Sequence, residues 1–165
     1  MRLAIFNLWV VTFSAVCLNG FPQNKKNAVV LEIAGKAFSY YDVSYERYLF
    51  EKFHLGIGVG FESASKGFSQ SGEHTDFDFR FPIYAAYAFG KKKHKIMTEI
   101  GVTFEEHLHT GIGIITDLWP FISGGYEYHG EKIIVRFPIY LVYVGPNSWW
   151  PSLLPWAGLS LGVPF

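Results

Sequence analysis

The sequence predicts an all-β chain, in which a signal peptide helix precedes eight antiparallel strands that close up-and-down into a transmembrane barrel. Three observations lead there. Segments of about ten residues alternate in polarity with a period of two, which is the spacing of a strand and not of a helix. Their apolar faces are almost free of charge, whereas the opposite faces gather it. The joining segments alternate short and long, the arrangement of a barrel with tight turns on one side of a membrane and loops on the other.

The clearest segment is 76–89. Its odd positions read Phe77, Phe79, Phe81, Ile83, Ala85, Tyr87 and Phe89, and its even positions read Asp76, Asp78, Arg80, Pro82, Tyr84, Ala86 and Ala88. One face is apolar throughout and the other holds every charge, so the two faces meet different media.

The chain begins with Arg2, an apolar run from Leu3 to Val16, and small or polar residues to Gly20. This is the layout of a secretory signal peptide over 1–20. Ala15-Val16-Cys17 and Leu18-Asn19-Gly20 are both acceptable cleavage sites. A lipoprotein reading of Cys17 is the weaker alternative, because Val16 is bulky where a small residue is expected. Cys17 is the only cysteine, so a chain cut after it holds no disulfide. Residues 21–26 form a polar lead-in, and the barrel domain spans 27–165.

Eight strands are expected at 27–38, 40–49, 53–63, 75–89, 94–107, 116–128, 132–144 and 155–165. The links at 50–52, 90–93 and 129–131 are short, and those at 64–74, 108–115 and 145–154 are longer. A tight link at Ser39 breaks the alternation. An even strand count leaves both ends of the barrel on the short-turn side. No segment after the leader is long and apolar enough for a membrane helix, which needs about 20 residues, so a spanning chain must cross with strands.

The outward faces are expected to carry Val29, Leu31 and Ile33; Tyr41, Val43 and Tyr45; Leu55, Ile57 and Val59; Ile96, Ile100 and Val102; Ile122 and Tyr126; Val135, Phe137 and Ile139; and Leu159, Leu161, Val163 and Phe165. The inward faces carry Glu32, Lys36, Asp42, Glu46, Asp76, Asp78, Arg80, Glu99, Glu105, Glu127, Lys132 and Arg136. Arg47 and Glu106 fall on the outer face near strand ends, where a long charged side chain reaches water. A soluble lipocalin-like binder would invert these faces. Against it, the charged face also carries Gly56, Gly58, Gly60, Gly101, Gly125, Gly158 and Gly162. Small residues suit the crowded interior of an eight-stranded barrel and add nothing to a wet exterior.

The last segment alternates Leu159, Leu161, Val163 and Phe165 with Gly158, Ser160, Gly162 and Pro164. It resembles the C-terminal address by which outer-membrane barrels are recognised for insertion. The chain also resembles the small outer-membrane barrel family of Bacteroidota-type bacteria, in Tyr45-Glu46-Arg47, in Phe89-Gly90-Lys91-Lys92-Lys93-His94-Lys95 and in Pro155-Trp156-Ala157-Gly158-Leu159-Ser160-Leu161-Gly162. The resemblance implies a fold and a location in the bacterial outer membrane. It also implies lipid and the barrel insertion machinery as partners, with no assigned reaction.

Several motifs carry chemistry. Arg80-Phe81-Pro82-Ile83-Tyr84 recurs as Arg136-Phe137-Pro138-Ile139-Tyr140. An inward Arg paired with barrel carboxylates and a Pro that interrupts the ladder, with a bulge expected there, account for both copies. The inward charges read as a paired, closed core, because eight strands leave room only for side chains and an isolated charge there would be costly. Glu105, His107 and His109 alternate on one face and form a weak metal-ligand candidate; histidines on a solvated loop stem are the plainer reading. Lys91 to Lys93 with Lys95 read as a solvated turn, with anionic headgroups or cell-wall polymer as the functional alternative. Trp149, Trp150 and Trp156 are expected at the membrane interface. Gly56-Ile57-Gly58-Val59-Gly60 lacks the spacing and the following helix of a phosphate loop.

The formal net charge is zero, so no basic footprint for nucleic acid exists. No cofactor is expected, and the chain is expected to be a monomer. The sequence thus points to a non-enzymatic outer-membrane barrel with a charge-paired interior and surface loops. An enzyme of lipid A acyl or deacyl chemistry is the alternative, for which Ser69, Ser71, His107 and His109 are available near one rim.

Overall fold

The computed structural model describes residues 25–36, 41–65, 75–90, 92–109, 113–145 and 152–165, without the side chains of 61–65, 75–78, 107–109 and 113–116. The segment expected to be a signal peptide, most of the expected lead-in, Ser39 and the Trp149-Trp150 pair lie outside the described residues.

Nine strand segments follow one another: β1 (Asn27–Ile33), β2 (Tyr41–Phe50), β3 (Phe53–Ser65), β4 (Thr75–Phe89), β5 (His94–His109), β6 (Gly113–His129), β7 (Ile134–Tyr143), β8 (Leu153–Ala157) and β9 (Leu159–Pro164). Each pairs antiparallel with its neighbour, and β1 pairs with β9 to close the ring. β8 and β9 are two pieces of one strand. Ile139↔Ala157 and Arg136↔Ser160 keep a single register on β7, with the gap at Gly158. The fold is therefore a closed eight-stranded antiparallel barrel, as the sequence predicts. At the seam, Asn27 and Phe165 exchange two backbone hydrogen bonds of 3.0 and 2.8 Å.

The first strand is shorter than expected. It ends at Ile33, and Ala34 then takes a left-handed φ of 51°. This residue turns the chain into the barrel, so Gly35 and Lys36 are buried within it rather than lying in the wall. A Cβ on Gly35 would overlap the Glu32 carboxyl, and one on Gly158 would meet the Ala34 carbonyl oxygen at 2.8 Å. Both glycines make room for the same inward turn, and the interruption of the last strand is where it fits.

The prolines interrupt their ladders without shifting them. β3 and β4 pair at Ile57↔Ile83 and again at Gly60↔Arg80, in one register across Pro82. Pro138 sits opposite the gap at Gly158, whose N–H donates to the Pro138 carbonyl oxygen at 3.0 Å. The bulge expected at these prolines is absent; among the described strands the register shifts only at Tyr48/Phe50, beside the β2–β3 turn. A missing N–H removes one bond, and inserting a residue is not needed to accommodate it.

The two faces separate along the wall, with Arg47 an exposed charge on the outer face near the β2–β3 turn. Ile57, Ile100, Ile122 and Ile139 are more than half exposed outward, whereas Glu46, Glu127 and Arg136 are fully buried. Hydrophobic burial cannot hold such a barrel together in water, because its largest apolar surface lies outside. A lipid exterior resolves this, and closure of the ring through β1 and β9 leaves no free edge strand in the wall, as a membrane interior requires.

Candidate functional site

The interior is built in tiers, because each strand turns every second side chain inward. Near the short turns, Arg136 on β7 is the hub. Its Nε donates to Glu127 Oε2 at 2.7 Å, its Nη2 donates to Glu46 Oε2 at 2.9 Å and to Tyr48 Oη at 3.0 Å, and its Nη1 donates to Glu46 Oε1. Planar guanidinium geometry suits this, since one side chain presents five donors in a fixed fork. His54 and His129 flank the Tyr48 ring, with centroids at 4.6 and 5.4 Å. His129 Nδ1 lies 3.1 Å from Glu127 Oε1, and Lys95 Nζ reaches the same oxygen at 3.8 Å.

The middle tier is organised by Glu32, which accepts from Lys36 Nζ and from Tyr140 Oη. The Lys36 ammonium is buried beside the Glu32 carboxylate, whose charge offsets the cost of taking a cation out of water. The Lys36 ammonium also lies 4.6 Å from the centre of the Tyr84 ring, whose hydroxyl donates to Glu46 at 2.7 Å. Ser123 donates to Glu99 at 3.0 Å, and Ser44 to Asp42 at 3.1 Å. Thr103 Oγ1 donates to the Lys36 carbonyl oxygen at 2.7 Å. Thr103 stands on β5, four strands from β1 in a ring of eight, so this bond spans the barrel.

Toward the long loops, Arg80 pairs with Glu105 and lies 5.1 Å from the Trp119 ring centre. An apolar cluster of Tyr84, Ala86, Phe121, Tyr140 and Val142 fills the interior beside it, with Trp119 and Trp156 packed against it.

The described interior holds six carboxylates (Glu32, Asp42, Glu46, Glu99, Glu105 and Glu127) against three buried cations (Lys36, Arg80 and Arg136). Cations alone are too few, so the hydroxyls of Tyr48, Tyr84 and Tyr140 complete the carboxylate shells. Sequence reasoning missed those tyrosines, together with His54 and Trp119. The signal that finds them is parity, since Tyr84 and Tyr140 stand four residues from Arg80 and Arg136 on the same face.

The recurring motif has a direct explanation in the register. Arg80 is the cross-strand partner of Glu105, and Arg136 is that of Glu127. Each copy places an arginine opposite a glutamate on an adjacent strand, β5 for Arg80 and β6 for Arg136, and a tyrosine one tier away.

Two expectations need correction. Lys132 does not join the interior, because it falls in the exposed β6–β7 turn before Ile134 begins the strand. Trp156 does not lie at the membrane interface. It has the inward parity of Gly158 and Ser160, pairs with Tyr140 and packs on the interior cluster. Of the metal candidate, Glu105 is buried against Arg80; the side chains of His107 and His109, like that of Asp78, lie outside those described. Leu161 and Phe165 are exposed on the outer wall, with Val163 half-buried on the same face and Leu159 half-buried.

The chain is similar in structure to the N-terminal β-barrel domain of Pseudomonas aeruginosa OprF, with a TM-score of 0.61, 15% identity, and coverage of 87% of this chain and 100% of that one. It is also similar to Neisserial surface protein A (NspA), with a TM-score of 0.55, 11% identity, and coverage of 84% and 93%. At these identities the likeness is one of fold. No protein-family model and no curated protein matches the sequence. The architecture is thus that of a small outer-membrane eight-stranded barrel.

Proposed function

We propose that the chain is a non-enzymatic protein of the bacterial outer membrane, exported by its leader, embedded as a monomer, and closed through its centre by the charge network. The observation that carries this reading is the pairing of a fully buried Arg136–Glu46–Glu127 cluster inside with exposed Ile100, Ile122 and Ile139 outside. The Thr103–Lys36 bond across the interior supports a closed lumen. The leader supports export, and the segment Leu159, Leu161, Val163 and Phe165 supports recognition by the insertion machinery. The Bacteroidota-type origin rests on the motifs at 89–95 and 155–162. Any partner of the surface loops would meet them on the long-loop side, where the connections are longest.

A lipocalin-like binder needs an apolar cavity, and the charges inside this barrel speak against it. The residues that lipid A acyl or deacyl chemistry would draw on, Ser69, Ser71, His107 and His109, lie outside those whose side chains are described. Membrane fractionation followed by electrophoresis with and without boiling tests the proposal. Sedimentation with the outer membrane and a boiling-dependent shift in mobility are expected. A soluble protein with unshifted mobility would overturn it.

A further inference from the structure

The zero net charge conceals a separation of charge along the barrel axis. At the short-turn end, Lys26, Lys52, Lys92, Lys93 and Lys132 are exposed and make no ion pair among the described residues. The exposed acids at that end are Glu51 and Glu131. At the opposite end, Glu62, Asp76, Asp78, Glu106 and Asp117 fall on the long-loop ends of β3 to β6, where, among the described residues, buried Arg80 is the only lysine or arginine. Net charge therefore says nothing about either rim taken alone.

The lysines stand immediately beyond an aromatic collar. Phe50, Tyr87, Phe89 and Tyr126 are exposed on the outer wall at the same end of their strands, Phe50 at 73% and Phe89 at 52%. Exposed aromatic rings of this kind sit at the level of lipid headgroups, so the lysines just past them meet phosphates rather than bulk water. A shallow groove lies between the β2–β3 turn and β4, walled by Phe50, Phe53 and Tyr87 with Glu51 and Lys52 at its mouth. The apolar walls match the first part of an acyl chain and the glycerol backbone. Lys52 matches a phosphate, and Glu51 can accept a hydrogen bond from a headgroup hydroxyl but repels a second anion.

We propose that the short-turn rim is a docking surface for anionic phospholipid headgroups of the adjoining leaflet, phosphatidylglycerol in type. The inference rests on the membrane reading above and adds a lipid preference to it. Each lysine near an anionic surface strengthens attachment several-fold, and the attraction weakens with salt. The surface also sets the depth of the barrel in the bilayer, since rings and lysines mark the two sides of one interface.

The test is native mass spectrometry of the folded full chain released from micelles containing equal amounts of phosphatidylglycerol and phosphatidylcholine. The wild type is expected to retain phosphatidylglycerol over phosphatidylcholine by about tenfold, less at high salt. The variant carrying Lys52→Gln, Lys92→Gln, Lys93→Gln and Lys132→Gln alters only exposed turn residues. It is expected to fold and to retain the two lipids equally, whereas Glu106→Gln with Asp117→Asn should keep the preference. Equal retention by the wild type, or a preference that survives in the lysine variant, overturns the proposal while leaving the membrane reading intact. Failure of the wild type to fold into vesicles of either lipid overturns the membrane reading and the docking surface with it.

Discussion

Arg136 on β7 and Glu46 on β2 meet inside the barrel as a forked pair, with Nη2 2.9 Å from Oε2 and Nη1 on Oε1, and both side chains are fully buried. Their strands are separated around the ring by β9 and β1, so the pair ties together two parts of the wall that share no backbone hydrogen bond. Arg136→Met leaves Glu46 and Glu127 without their cation and should cost about 3 to 5 kcal/mol. Urea unfolding of vesicle-folded protein measures it. Adding Glu46→Gln to that variant should recover part of the loss, because one of the two stranded charges is then removed.

The tyrosine hydroxyls should matter in proportion to the carboxylates they serve. Tyr140→Phe takes a donor from buried Glu32 and should destabilise the barrel by about 1.5 to 3 kcal/mol. Tyr143→Phe, three residues along on the exposed face, should lie within about 0.5 kcal/mol of wild type. Equal effects in the two variants would mean that the Tyr140–Glu32 bond contributes nothing to stability.

Leu161 and Phe165 separate stability from recognition. Leu161→Arg puts a charge on the lipid face and should cost about 2 to 4 kcal/mol, depending on depth. Phe165 belongs to the closing ladder through its backbone, so deleting it would confuse seam bonds with the side chain. Phe165→Ala keeps those bonds and removes the ring. It should reduce the amount assembled in the outer membrane of cells far more than it reduces refolding of purified protein in detergent. Equal losses in both assays would make the ring a structural anchor and not an address.

The turn at Ala34 to Lys36 should keep the lumen shut. Wild-type protein in planar bilayers is expected to show no steady ion conductance, and Lys36→Ala is expected to show brief openings as the plug loses its tie to Glu32. A stable open level in the wild type would contradict a closed interior.

Much of this fold was legible because strand parity is unforgiving: a shift of one residue would have put Arg136, Glu127 and Glu46 into lipid together. The same parity located the outward isoleucines and the closing strand. What escaped depended on distance. Gly35 is the one local mark of the turn at Ala34, and the rest of its space is made by Gly158, more than a hundred residues away. Lys132 was misplaced because a strand boundary two residues late turns a wall residue into a turn residue. Trp156 departs from the expected place because the parity of its own strand overrides the general preference of tryptophan for the interface. The Tyr84–Glu46 and Tyr140–Glu32 bonds each join strands two positions apart in the ring, so the curvature of the wall, and no local pattern, brings them together.

The central claim is that the alternating faces meet lipid outside and a packed charge network inside. Cys17 is the only cysteine, so in a Cys17→Ser background single cysteines introduced at Ile100, Ile122 and Ile139 can each carry a spin label without interference. In vesicle-inserted protein, collision with oxygen, which concentrates in lipid, should exceed collision with a water-soluble nickel complex at all three positions, and at exposed Lys92 in the β4–β5 turn the order should reverse. Labels at the three isoleucines that collide more with the nickel complex than with oxygen would place the apolar wall in water and contradict the account.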